Sequence, residues 1–160
     1  MKSLKITSEL EVYDSLDELP REVSVLMQKA FDARDNAYAP YSQFNVGAAI
    51  LLENDEVVTG SNQENASYPS GLCAERTAFF YAGAKYPGVK MKRVAISAKS
   101  LKHVVVAPVS PCGSCRQVMA EYEVNQEENI ELYFMGETGK VLKAKSVKDL
   151  LPLIFDRSIL

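Results

Sequence analysis

Cys73, Cys112 and Cys115 are the only thiols in this 160-residue chain. Cys73 stands in "GLCAERT", and the other two in "PCGSCRQ", each stretch opening an expected helix. Thiolates are favoured at helix starts, where unpaired backbone N–H groups and the positive end of the helix dipole stabilise negative charge and lower the thiol pKa. Two such starts meeting across strand ends would gather three sulfurs around one point. Three protein ligands with one open position is the arrangement of a catalytic zinc, whereas a closed structural site has four.

Glu75 favours the open form. It lies two residues past Cys73, close enough to reach the fourth position without being a ligand. Zinc lowers the pKa of bound water from about 15.7 toward 7, and a neighbouring carboxylate can take the released proton and pass it on. Three thiolates and a divalent cation sum to one negative charge, which blunts that activation unless cations stand nearby. Arg76 and Arg116 follow Glu75 and Cys115 directly, so each is expected to donate toward the sulfurs and offset the charge.

Other uses of these residues are open on the sequence alone. His103, the single histidine, precedes Cys112 by nine residues and would close a Cys3His structural site. "CGSC" also has the spacing of a dithiol redox pair, and cysteines often serve as small buried hydrophobes. The two arginines have a plain reading as surface residues.

Composition narrows the class of partner. Net charge is −3 with basic residues scattered, so no basic stripe is available for a nucleic-acid backbone. No apolar run is long enough to cross a membrane, and the opening residues lack the pattern of a secretory signal. The expectation is a cytoplasmic protein with reduced thiols, no membrane and no nucleic acid.

The elements that must position these residues follow from periodicity. Apolar residues from Leu19 recur at three or four positions and predict a helix over 20–36 with Pro20 at its start. Residues 44–52 and 57–62 read as a hairpin around "ENDE". Helices are expected over 72–84 and 112–124, and strands over 94–98, 130–135 and 141–144. "VVVAPV" reads as a buried extended run, and 147–155 as a terminal helix bent or shortened at Pro152. These segments make an α/β protein: a mixed sheet of about five strands with helices on its faces. Residues 1–19 are read as an extension that adds an irregular strand or wraps a neighbour, with one domain over 20–160.

"GLCAERTA" with "PCGSCRQV" resembles the zinc-dependent cytidine deaminases of the small, homotetrameric type. "AYAPYSQFNVGAAILL", "GSNQENASYP" and "LLPLIF" follow in that family's order, so the resemblance spans roughly 20–155, and Gln63 departs from it where an aliphatic residue is more usual. The resemblance implies a three-layer α/β/α cytidine deaminase-like fold, one Zn²⁺ per chain on Cys73, Cys112 and Cys115, and a homotetramer with shared active sites. It implies hydrolysis of cytidine and 2′-deoxycytidine to uridine and 2′-deoxyuridine with release of ammonia, a pyrimidine salvage reaction. Glu75 would be the proton-transfer residue. Phe44 would pack on the pyrimidine, Asn62 and Glu64 would bind the ribose, and backbone groups at Ala74 and Ser110 would meet the base edge. Tyr68 and Phe155 would complete the pocket across a subunit boundary. Free cytosine and phosphate-bearing nucleotides are expected to be poor substrates, the former because buried ribose partners would go unpaired, the latter because Glu64 is negative. A deaminase of another aminopyrimidine nucleoside, or a zinc-braced member without catalysis, would share the metal motif.

Overall fold

The computed structural model describes residues 1–160, apart from the side chain of Ile159. Its frame is a six-stranded sheet in the order β1-β6-β5-β4-β2-β3, where the strands are β1 (Glu11–Tyr13), β2 (Phe44–Leu52), β3 (Val57–Ser61), β4 (Met91–Ser100), β5 (Glu131–Met135) and β6 (Val141–Ala144). Only β4 and β5 run parallel, joined through helix α3 (Gly113–Gln126); every other pairing is antiparallel. The sixth strand beyond the expected five is β1, contributed by the amino-terminal extension and paired with β6.

Alternation along the strands divides their side chains between two cores. On one face Ala49, Ala95, Tyr133, Met135 and Val141 meet Val23, Leu26, Met27 and Ala30 of α1 (Arg21–Arg34). On the other, Ile50, Val94, Ile96, Leu132 and Phe134 meet α2 (Ala74–Lys85) and α3 through Ala78, Phe79, Ala82, Cys115 and Met119. The result is the three-layer α/β/α arrangement.

Two glycines set how closely helices approach the sheet. A Cβ on Gly47 would lie 2.0 Å from Ala30 O of α1, and one on Gly60 would lie 2.6 Å from both Ala74 O and Ala78 N of α2. Gly60 therefore seats the first turn of α2 on β3 with backbone nearly touching backbone.

Three expectations need correction. Leu72 lies outside α2, whose extended N-cap is Cys73. The run 104–109 is not buried throughout: Val105 is buried while Val104 and Val106 face outward, and Val105 O accepts from Glu137 N–H at 2.7 Å. The terminal helix is reduced to a 3₁₀ turn at Val147–Asp149 and another at Arg157–Ile159. Pro152 lacks an N–H and disfavours helical backbone at Leu151, which stops propagation after the first turn.

Candidate active site

The start of β2 and the end of β4 share one end of the sheet, with Phe44 opposite Ser100. The end of β3 joins them there, since Gly47 pairs with Ser61. Both helix starts open onto this end. Cys73 and Cys112 are the N-caps of α2 and α3, in extended backbone, and Cys115 lies in the first turn of α3. Their sulfurs are 3.8 Å apart for Cys73–Cys112 and 3.4 Å for Cys112–Cys115, and all three lie within 4.8 Å of one another.

This donor set fits zinc. Sulfurs on a tetrahedral ion at Zn–S of about 2.3 Å stand roughly 3.8 Å from each other, and three soft thiolates select such a metal. His103 is not in the cluster; its Nδ1 lies 3.5 Å from Ser100 Oγ, and the Cys3His alternative has no geometric support. Hydrogen bonding from Cys115 holds the Cys73 thiol down at about 5, against the desolvation of its burial, with Arg76 assisting. Arg76 carries the charge the three sulfurs call for: all three raise its pKa, although burial opposes them. Its Nη2 donates to Gly71 O at 3.3 Å, while its buried Nε has no hydrogen-bond partner among the described residues.

Glu75 is 5 % exposed and lines a hollow of about 400 Å³ together with Phe44, Asn62, Glu64, Cys73 and Ser110. Burial pushes its carboxyl above the ordinary value, against a hydrogen bond from its own backbone N–H; negative charge on Cys73 pushes the same way as burial. Such a carboxyl exchanges protons nearer neutrality than an exposed one. Ala74 opens α2, and the first amides of a helix have no intrahelical acceptor, so they are free for a ligand.

A cleft that joins three clustered cysteine sulfurs to a buried glutamate has the groups that metal-assisted hydrolysis requires. A family model described as the cytidine and deoxycytidylate deaminase zinc-binding region matches residues 20–127. The chain belongs to this deaminase family. A cytidine deaminase of Halalkalibacterium halodurans is 50% identical over 135 residues, covering 82% of this chain and 92% of that protein. One from Sporosarcina psychrophila is 38% identical over 141 residues, covering 85% and 93%. The crystal structure of cytidine deaminase from Burkholderia pseudomallei superposes with a TM-score of 0.72 at 39% identity, over 86% of this chain and 100% of that one.

Within this deaminase-family site the remaining expected residues fall into distinct places. Asn62 is buried and its carboxamide bridges to β2: Nδ2 donates to Phe44 O at 2.9 Å and Oδ1 accepts from Val46 N–H at 2.7 Å. Glu64 Oε2 accepts from the amides of Tyr41 and Ser42 at 2.9 and 3.2 Å. Hydrogen bonding from the Ser42 hydroxyl and then from the two amides holds the Glu64 carboxyl below its ordinary value, against desolvation. Arg116 has no sulfur among its hydrogen-bond partners. It braces the approach to Cys112 instead, donating to Pro111 O and Leu150 O at 2.8 Å each and to Ser110 Oγ at 3.1 Å.

Tyr68 and Phe155 stand outside the 400 Å³ hollow. Tyr68 is 76 % exposed, edge-on to Tyr41, and lines an adjoining concavity of about 520 Å³ with Leu72 and Arg76. Phe155 is 57 % exposed, and its carbonyl accepts from Gln117 Nε2 at 2.8 Å. Sequence reasoning passed over Tyr41 and Ser42, which act through backbone amides and so leave no side-chain signature. It also passed over Glu123, a buried carboxylate that accepts from Ile130 N–H, Ser146 Oγ–H and Val147 N–H at 2.8, 2.6 and 2.9 Å and ties the end of α3 to the sheet.

Proposed function

We propose that this protein catalyses the zinc-dependent hydrolytic deamination of cytidine and 2′-deoxycytidine, yielding uridine and 2′-deoxyuridine with release of ammonia. The observation that carries this reading is the buried Glu75 carboxyl beside three clustered thiols at the mouth of two helices. Cys73, Cys112 and Cys115 would hold one zinc ion per chain, supplying Lewis acidity and an acidified water.

The chain's own residues do the rest. Glu75 accepts the proton of the attacking water and delivers it to N3 of the base, which draws electrons from C4; it then takes the proton of the new C4 hydroxyl and passes it to the exocyclic amine, so that the C4–N bond breaks, ammonia leaves and a C4 carbonyl remains. Its raised pKa suits a group that must both take and give. Phe44 supplies an apolar face for the ring, and the free amides at Ala74 with the carbonyl at Ser110 hold the base edge. Glu64 accepts from a sugar hydroxyl through the oxygen left by Tyr41 and Ser42. Asn62 retains a second Nδ2 hydrogen for the same sugar. A negative sugar pocket favours a nucleoside over a nucleotide.

The working assembly in this reading is a homotetramer in the reducing cytoplasm, with active sites completed across subunits. Support comes from the exposed aromatics Tyr41, Tyr68, Phe80, Tyr81 and Phe155, which neighbouring subunits would cover. The test is ultraviolet detection of cytidine conversion to uridine before and after chelation. Turnover that disappears with zinc and returns on its addition is expected; a zinc-loaded protein that leaves cytidine unchanged overturns the proposal.

A further inference from the structure

Glu64 lies on an open rim where a lone carboxylate would sample several rotamers, yet it is held. Its backbone N–H donates to Tyr38 O at 2.8 Å, and the Tyr38 N–H donates to Asn62 O at 3.0 Å, so the segments run side by side. Beyond Tyr38 the chain turns back so that two successive amides, Tyr41 and Ser42, reach the same oxygen of Glu64. Gln43 N–H donating to Ala39 O at 3.0 Å closes this turn, and Leu101 N–H donating to Gln43 O at 2.9 Å anchors it to the end of β4. Ser42 Oγ accepts from Phe44 N–H at 3.0 Å, which leads the turn straight into the strand that carries Phe44.

The reversal has a conformational requirement at one residue. Gln43 has φ +57°, a left-handed backbone that residues with a Cβ seldom adopt and β-branched residues resist most. Its side chain is exposed, so what the position contributes is backbone direction.

We propose that the left-handed turn at Gln43 is the positioning device for the sugar-binding carboxylate: it aims the Tyr41 and Ser42 amides at Oε2 of Glu64 and leaves Oε1 for the sugar hydroxyl. Gln43 is a positioning residue here, acting on substrate only through Glu64. The inference rests on the reading of Glu64 as a sugar acceptor given above.

The test pairs variants with substrates. Steady-state kinetics are measured for the zinc-loaded native protein, Gln43→Val and Gln43→Gly, on cytidine and on 3′-deoxycytidine, which has no 3′-hydroxyl to offer. Gln43→Val is expected to raise KM for cytidine roughly tenfold, because β-branching adds to the left-handed cost that Gln43 already carries, with kcat within about twofold. Its KM for 3′-deoxycytidine stays at the native value, and Gln43→Gly restores the cytidine KM. Equal losses on both nucleosides, or no loss on either, overturn the proposal. A native protein that does not distinguish the two nucleosides overturns the sugar reading itself; one that does, with a Gln43→Val loss common to both, removes only the role of the turn. Should Gln43→Val fail to fold, Gln43→Thr, also β-branched but polar at this exposed position, is judged by the same selectivity.

Discussion

Glu75, in the first turn of α2, and Glu64, just beyond β3, line the same hollow, yet their surroundings push them in opposite directions. Around Glu75 the wall is closed and apolar, with Ala74 and Ala78 buried beside it, and desolvation raises the carboxyl pKa. Around Glu64 the wall is a turn of backbone, and donated hydrogen bonds lower it. One glutamate is thereby suited to moving protons and the other to staying charged while it accepts a hydroxyl hydrogen. The comparison teaches that residue type supplies a carboxyl, and that the number of N–H and O–H groups reaching it decides its use.

The largest effect should come from the closed wall. Glu75→Gln keeps the shape and the thiol cluster but cannot carry a proton, so kcat should fall about 10²–10⁴-fold with zinc content retained, as checked by metal analysis alongside turnover. Near-native turnover would erase the distinction between the two walls. Glu64→Gln should act on the other side of the kinetics: loss of a charged acceptor raises KM about 10- to 100-fold and leaves kcat close to native. A fall in kcat instead would show that Glu64 participates in the chemistry.

Gly60→Ala sharpens the contrast through packing. Its new Cβ would press on Ala74 O and Ala78 N, displacing the first turn of α2 and its Glu75, at a stability cost of about 1–3 kcal/mol read as a lowered Tm. The turn holding Glu64 belongs to residues 39–43, so KM should change less than kcat. The smallest signal lies in pH. On acidification Glu75, whose pKa is raised, takes up its proton while the solution is still above the ordinary carboxyl value of 4.5. Glu64, whose pKa is lowered, remains ionised below that value. Going down in pH, kcat should therefore fall before KM rises; the reverse order would exchange the two assignments.

Much of the frame was legible beforehand because it is written in local period. Apolar spacing of three to four residues located α1 within two residues at either end, at Arg21–Arg34, and the turn "ENDE" between two strand-like runs marked the β2–β3 hairpin. The carboxyl-terminal helix, expected to be bent or shortened at Pro152, is cut back to the single turn Val147–Asp149, because the restriction reaches Leu151 as well. The 104–109 run departs in burial instead: three successive valines suggested an enclosed segment, but with no neighbouring strand paired to it among the described residues only Val105 turns inward, its carbonyl held by Glu137 N–H. Arg116 illustrates the limit for the site, since adjacency to Cys115 suggested a sulfur partner and the folded chain offered it three oxygens.

By itself the sequence determined which chemical groups exist and how they are spaced: three thiols, a glutamate two residues past the first of them, and helix starts where thiolates are favoured. Only the tertiary structure decided that sulfurs 39 residues apart lie 3.8 Å from each other, and that one glutamate is buried while another is ringed by amides. The physical reason is range. Periodicity and capping act within a few residues, whereas the separation of two helix starts depends on how the helices seat on the sheet, down to the missing Cβ of Gly60.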